Sequence, residues 1–173
     1  MTLDIHDHIL PMLTRLLEAL SGYLDKASEH AKTHGYDVDN ILRARLAIDQ
    51  YDLAKQTSLA CFHAEESMGQ LTGKAAERWE RETHDVADLQ ARIQHAIAFL
   101  GALNKADFAG WEEREADIFF APGMFMPGMA YLMELELPNF FFHLNATYAI
   151  LRHNGIPVGK MDYLGGLQLR KKG

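Results

Sequence analysis

The sequence lacks the features that several classes of protein require. Cys61 is its single cysteine, so no disulfide can form within the chain and nothing indicates an oxidising compartment. No segment approaches the roughly 20 apolar residues that a membrane-spanning helix needs. The first residues, MTLDIHDHILPM, carry acids and histidines where a signal peptide would be basic, and they have no continuous apolar run. We therefore predict a cytoplasmic protein with no membrane partner.

Positive charge is also scarce and dispersed. The 17 Lys and Arg residues are outnumbered by 24 Asp and Glu residues, and the net charge is −7. Nucleic-acid binding needs a concentrated positive surface, so we expect no nucleic-acid partner. The chain has 173 residues, of which 48% are apolar, which suits one domain over 1–173 better than two small cores.

Apolar residues recur at three- and four-residue steps in four segments, which predicts four amphipathic helices. We place them at about 4–34, 50–71, 83–100 and 138–155. Gly35, Gly73 and Gly155 are predicted to end helices, Thr83 to cap the third, and Pro138 to open the last. Four such helices predict an all-α four-helix bundle.

The segment 104–136 breaks this rhythm. Its stretch ADIFFAPGMFMPGMAYLMELEL contains two prolines and two glycines among Phe and Met residues. We predict a long irregular or hairpin connection before the last helix. Its Met- and Phe-rich part, 119–133, is typical of a core or an interface, and an exposed patch there could bind an apolar ligand or a partner.

One polar face on the second and last helices is a candidate site. His143 stands where a metal-binding helix would begin an H-x-x-x-H pair, but the residue one turn later is Thr147, which is a poor transition-metal ligand. On the second helix, Asp49, Asp52 and Gln56 are predicted to share one stripe. These groups either hydrogen-bond to the neighbouring backbone, helices or water, or line a small polar pocket with His143.

Other candidate groups are more typical of structural roles. His30 and His34 form a true H-x-x-x-H pair, but they lie in the last turn of a helix, where they complement the dipole. His63 and Glu66 form half of a di-iron motif whose other parts are missing. Cys61 is predicted to be a buried helical residue rather than a nucleophile.

Two long segments carry a family resemblance. LPNFFFHLNATYAILRHNGIPVGKMDYLG and YLDKASEHAKTHGYDVDNILRARLAIDQYDLAKQTSLAC resemble a bacterial family known only as a domain of unknown function. That family belongs to the DinB/YfiT-like superfamily of predicted metalloenzymes. The resemblance runs from the first helix to Gly165, and the motifs PNFFFH, TYAILRHNG and GKMDYLG are its most specific parts.

The resemblance implies a four-helix bundle, usually dimeric, in which one histidine of the second helix and two of the last helix hold a divalent metal. Members with that triad include DNA-damage-inducible proteins and thiol-dependent transferases. The three positions fall on Gln56, His143 and Thr147 in this sequence, so His143 is the only retained ligand position.

Three hypotheses follow. The first is a DinB-like homodimer with a degenerate metal site and a small-ligand pocket near His143. The second is a hydrolase or thiol S-transferase that uses Zn or Ni, with His143 and either Asp49 or Asp52 as ligands. The third is an interaction module that uses the Met-rich connection. The hypotheses thus include an enzyme and two binding proteins.

Overall fold

Four long helices form the framework of the computed structural model, which describes residues 4–167 and 169–172. They are α1 (Leu10–His34), α2 (Leu53–Thr72), α3 (Val86–Gly101) and α5 (Leu137–His153). Helix α2 packs against α3 and α5, and α1 packs against the same two helices from the other side. The predicted all-α four-helix bundle is confirmed.

Short elements connect the long helices. A π-helical turn leads into α1, 3-10 turns follow α1 and α3, and a two-stranded hairpin precedes α5. Their bounds are Ile5–Ile9 (π), Val38–Arg43, Lys105–Phe108 and Trp111–Glu113 (3-10), β1 Glu115–Asp117, β2 Phe125–Pro127, α4 Gly128–Ala130, Tyr131–Glu136 (π) and α6 Lys160–Leu164.

The apolar stripes of the helices meet in one buried core. Leu13, Leu17 and Leu20 of α1 are fully buried, as are Leu89 and Ile93 of α3. Each such side chain contributes about 1.5–3 kcal/mol relative to an exposed one. This core positions α2 and α5 side by side, which is the contact that carries the candidate site.

Helix ends differ from the prediction where an aspartate is available as a cap. Helix α2 begins at Leu53 rather than Gln50, because the Asp52 side chain accepts the Lys55 N–H at 3.1 Å. Helix α3 begins after Asp85, not Thr83, because Asp85 accepts the Asp88 N–H at 2.7 Å. The predicted glycine ends of α1 and α2 are confirmed, with φ of 72° and 71°.

The connection before the last helix forms the short hairpin that the sequence suggested. Strands β1 and β2 pair antiparallel, with Ala116 opposite Met126. Gly128 follows directly, and a Cβ there would lie 1.9 Å from the Trp111 carbonyl oxygen. Only glycine allows the chain to return this close to the 3-10 turn.

The last helix begins earlier than predicted. Helical backbone runs from Gly128 through the π segment into α5, so Pro138 lies inside a continuous helical stretch rather than opening it. Proline within a helix lacks an N–H and crowds the preceding turn. The π segment widens that turn, as shown by the Leu137 N–H donating to the Leu132 carbonyl five residues back.

Candidate functional site

His143 lies buried on α5 and faces α2. Its Nδ1 is 2.6 Å from the Oε1 atom of Gln56, whose amide nitrogen is directed toward the Tyr51 carbonyl. Because an amide oxygen only accepts, the imidazole carries its proton on Nδ1 and leaves Nε2 as a lone pair. Burial lowers the pKa of His143 to about 4, with smaller contributions from His63 and Lys55. His143 is therefore a neutral acceptor at pH 7.

Thr147 occupies the position one turn after His143. Its hydroxyl donates to the His143 carbonyl oxygen at 3.0 Å and lies 3.5 Å from the Thr57 hydroxyl of α2. All three residues are buried. The Thr147 hydroxyl therefore donates its proton to the backbone of its own helix, and the side chain packs against α2 beside His143.

His63 of α2 stacks against His143. The ring centroids are 5.3 Å apart and the planes are 8° from parallel. The His63 Nδ1 is 2.9 Å from the Oε2 atom of Glu136, and the exposed fractions of these two side chains are 6% and 1%. Burial raises the pKa of Tyr131, and the carboxylates of Glu136 and Glu66 raise it further. The two rings and Glu136 form the polar centre of the bundle.

Both imidazoles are held at Nδ1 only. Within 4–167 and 169–172, neither Nε2 atom has a hydrogen-bond partner, and neither is sealed from solvent. His63 also lines a cleft of about 1430 Å³ along one side of α2, together with Phe62, Phe119 and Lys55. Of the two stacked rings, His63 is the one that lines this open cleft in the described part of the chain.

Comparison with known proteins identifies the family of the chain and a solved structure with a similar fold. Residues 5–164 match the family model described as a domain of unknown function, DUF1993. This chain belongs to the DUF1993 family. It is also similar to the crystal structure of a DinB family member protein from Shewanella denitrificans, with 32% identity, a TM-score of 0.88, and 94% of this chain and 93% of that chain covered. No curated protein matches this DUF1993 chain. The predicted resemblance to a DinB-like family of unknown function is confirmed.

The two predicted carboxylates lie apart from the histidine pair. Asp49 is exposed in a turn before α2, so the predicted helical stripe that included it is wrong. Asp52 caps α2, and its Oδ2 atom lies 3.5 Å from a guanidinium nitrogen of Arg43 and of Arg45. Among the hydrogen bonds of the described residues, none joins either aspartate to His143. Of the five predicted site residues, the structure brings together His143, Gln56 and Thr147.

The donors near His143 do not fit the superfamily's metal triad. In the part of the chain that the structure describes, Asp4, His6 and Asp7 form the only set of three or more metal-binding side chains whose ligand atoms lie within 4.8 Å of one another. That set is near the first helix, and the Lys105 ammonium already pairs with both aspartates, at 2.5 and 2.7 Å. The two other positions that the resemblance implied for ligands were assigned to Thr147 and Gln56, and the Gln56 side chain is hydrogen-bonded to His143.

Sequence reasoning missed His63 and Glu136 as site residues, although a spacing signal was present. Gln56 and His63 are seven residues apart, as are Glu136 and His143, and seven residues return to nearly the same helix face. The spacing of Gln56 and His63 on α2 could have placed His63 beside the site.

A second buried polar cluster lies between α2 and α3 and borders the same cleft. Arg92 of α3 forms a bidentate ion pair with Glu65, and the His95 Nδ1 lies 2.8 Å from a Glu65 oxygen. The Trp79 ring covers both Arg92 and His95. Burial raises the pKa of the neighbouring Cys61 thiol to about 12, which makes it a poor nucleophile, as the sequence indicated.

No described helix of this DUF1993 chain combines the length and apolar character needed to cross a membrane.

Proposed function

We propose that this DUF1993 protein is a single-domain, cytoplasmic DinB-like bundle that binds a small ligand through His63 and His143, at a site that has lost the superfamily's metal set. One observation carries the proposal. Two buried, parallel imidazoles are each fixed at Nδ1 by an oxygen acceptor, and neither Nε2 has a hydrogen-bond partner among the residues that the structure describes.

The chemistry of the site defines the ligand in outline. Both Nε2 atoms can accept a hydrogen bond and neither is sealed from solvent, so an occupant that donates to them can replace water there. The neutral His143 can accept such a bond without a change of charge. The aromatic rings of Phe62 and Phe119, 6.4 Å apart, form an apolar wall of the cleft. The ligand therefore combines a donor group with a small apolar body.

Metal analysis is the first test. Histidines that bind metal are also oriented through Nδ1 by an oxygen acceptor, so zinc or nickel on the two Nε2 atoms is the rival that must be measured. We expect protein prepared without an affinity tag to contain far less than one Zn or Ni per chain. Stoichiometric Zn or Ni would overturn the proposal and favour a metal-dependent hydrolase or thiol S-transferase.

A ligand titration is the second test. Phenol is a suitable probe because it joins one O–H donor to an apolar ring. We expect phenol to shift the NMR signals of the His63 and His143 rings, and His143→Phe to weaken binding roughly tenfold, as expected for one lost hydrogen bond. His153→Phe, at the exposed end of the same helix, is the matched control. Equal affinity in wild type and His143→Phe would contradict the proposal.

The cytoplasm and the homodimer belong to the same proposal. A single buried cysteine suits a reducing compartment. Phe120 and Met124 of the hairpin and Phe142 of α5 are among the exposed large apolar residues, and such patches are typical of interfaces. We expect light scattering to give twice the chain mass of 19.5 kDa. Phe120→Asp should give monomers, whereas Ile48→Asp, exposed elsewhere, should not. A monomeric wild type would exclude the dimer.

A further inference from the structure

We infer that His63 is a general base, held in place by Glu136, and that it takes a proton from an O–H or S–H group of a small molecule bound in the cleft. The inference rests on the proposed ligand site and adds a chemical role to one of its two imidazoles. His63 is the residue that would touch the substrate, and Glu136 is a positioning residue.

The geometry of the pair supports this role. A carboxylate only accepts, so the Nδ1–H of His63 donates to Glu136, and the tautomer that this contact selects has its lone pair on Nε2. Glu136 is almost fully buried, which confines its charge to this contact. A buried carboxylate that orients an imidazole and stabilises the imidazolium formed on proton uptake is a general arrangement in acid–base catalysis.

The two histidines have different partners, and the difference assigns their roles. Gln56 orients His143 with a neutral amide, which does not stabilise a positive ring. Glu136 orients His63 with a group that ionises to a carboxylate, although burying a carboxylate is costly and an amide would satisfy the same ring nitrogen. A purely structural histidine does not need that charge. His143 therefore only accepts a hydrogen bond, whereas His63 is equipped to receive a proton.

The backbone that leads to Glu136 is a π-helical segment rather than a regular α-helix. Tyr131 and Glu136 are the first and last residues of the π segment, five residues apart, and thus one π turn apart. Segments of π-helix often occur at functional sites. Burial, and after it the Glu136 carboxylate at the other end of the segment, raises the pKa of the Tyr131 phenol.

The proton transfer balances within the site. The Nε2 lone pair of His63 takes the proton, and the electron pair of the broken O–H or S–H bond stays on the ligand atom. His63 becomes an imidazolium beside Glu136, and the ligand becomes an anion. The cleft is lined by five carboxylates and by six cationic side chains, namely Arg43, Arg45, Lys55, Arg78, Arg81 and Arg92. Its lining is therefore close to neutral and opposes an anion less than the rest of a protein whose net charge is −7.

The first measurement is the tautomer of His63, by 15N NMR of the full-length, metal-free protein at pH 8. We expect the proton on Nδ1 and a bare Nε2. A proton on Nε2 would overturn the inference, because no lone pair would then face the cleft.

The second measurement is the rate at which diethyl pyrocarbonate modifies His63, read by peptide mass spectrometry. The reagent acylates an unprotonated ring nitrogen. In Glu136→Gln the amide can donate to Nδ1 and allow the opposite tautomer, so we expect modification to slow roughly tenfold or more. Glu136→Asp retains the carboxylate and should recover much of the rate. The exposed His153 of the same molecule is the internal control and should react equally in all variants.

Equal His63 rates in wild type and Glu136→Gln would overturn the inference. If Glu136→Gln does not fold, the wild-type tautomer decides alone. Metal content, measured on the same sample, separates the two proposals. Stoichiometric metal refutes the proposed function, whereas a metal-free sample with a protonated His63 Nε2 refutes the general base only.

Discussion

Helix α2 takes part in two buried polar pairs, Glu65 with Arg92 and His63 with Glu136, which differ in how completely their polar atoms are paired. Toward α3, Glu65 meets Arg92 through two parallel hydrogen bonds, and His95 adds a third. Toward α5, His63 meets Glu136 through one bond. His63 and Glu65 are only two residues apart, yet each faces a different helix.

The difference lies in what remains unpaired. In the Glu65 cluster both carboxylate oxygens are bonded, the charges of Glu65 and Arg92 cancel, and Trp79 covers the cluster. In the His63 cluster the carboxylate meets one ring nitrogen, and among the described residues the other ring nitrogen has no hydrogen-bond partner. Both clusters border the same cleft, so the contrast is in their pairing. We call the fully hydrogen-bonded Glu65 cluster the closed pair and the His63 cluster the open one. A closed pair holds two helices in register, whereas an open one has a ring nitrogen available to another molecule. The predictions below test this contrast.

The largest effect is expected from opening the closed pair. Arg92→Met leaves the Glu65 charge buried without its partner, and we expect it to reduce the free energy of unfolding by about 3–5 kcal/mol, measured by urea denaturation. Arg78→Met, at an exposed position nearby, should change it by less than about 0.5 kcal/mol. The double variant Glu65→Met with Arg92→Met should regain much of the loss, because it removes both charges. A mild effect of Arg92→Met alone would mean that the pair is not structural.

The second effect concerns the open cluster and pH. The pKa of His143 falls from 6.5 in the unfolded chain to about 4 in the folded protein, so the unfolded state binds more protons between these values. The contribution of the neutral ring is complete above pH 6.5 and is lost as pH falls toward 4. The shift corresponds to about 3 kcal/mol.

We expect this loss when wild type and His143→Gln are compared by urea denaturation from pH 7 to 4. The His143→Gln curve should be flatter by that amount, while His153→Gln, at an exposed position, should follow the wild type. Parallel curves for wild type and His143→Gln would show that the ring is solvated rather than buried.

The third effect tests whether the open cluster is a metal site without its ligands. Thr147→His restores the H-x-x-x-H pair with His143, and packing a larger side chain at this fully buried position should cost about 1–3 kcal/mol. Zinc at 100 times its Kd should return about 2.7 kcal/mol to this variant. Wild type and the exposed control Asn145→His should show no zinc stabilisation. Stabilisation of wild type by zinc would indicate that a metal set already exists.

The bundle was predictable because its determinants are local. The leucine spacing of α1 and the glycines at 35 and 73 act within one helix, and they gave the right number of long helices and two of their ends. The start of the last helix was not predictable in the same way. Gly128 and Pro138 read as breaks, but the first permits a close approach to Trp111 and the second is accommodated by the π segment.

The candidate site was only partly predictable because its bonds cross between helices. His143, Gln56 and Thr147 were placed together through the resemblance and the helical faces, and the structure joins them. Glu136 was assigned to an irregular connection, so its seven-residue spacing from His143 was not interpreted as a shared helix face. Asp49 was misplaced because the α2 boundary was set too early, by three residues.

The smallest effect is expected at the edge of the closed pair. His95 is partly exposed, and its Nδ1 donates one hydrogen bond to Glu65. His95→Phe should keep the contact with Trp79 and lose that bond, while Arg92 still satisfies both oxygens of Glu65. We expect a loss of about 1 kcal/mol or less by urea denaturation, similar to the exposed control His84→Phe, and no change in the phenol titration. A loss as large as that of Arg92→Met would mean that the Glu65 cluster depends on its histidine as the His63 cluster does. The contrast between a closed pair and an open one would then disappear.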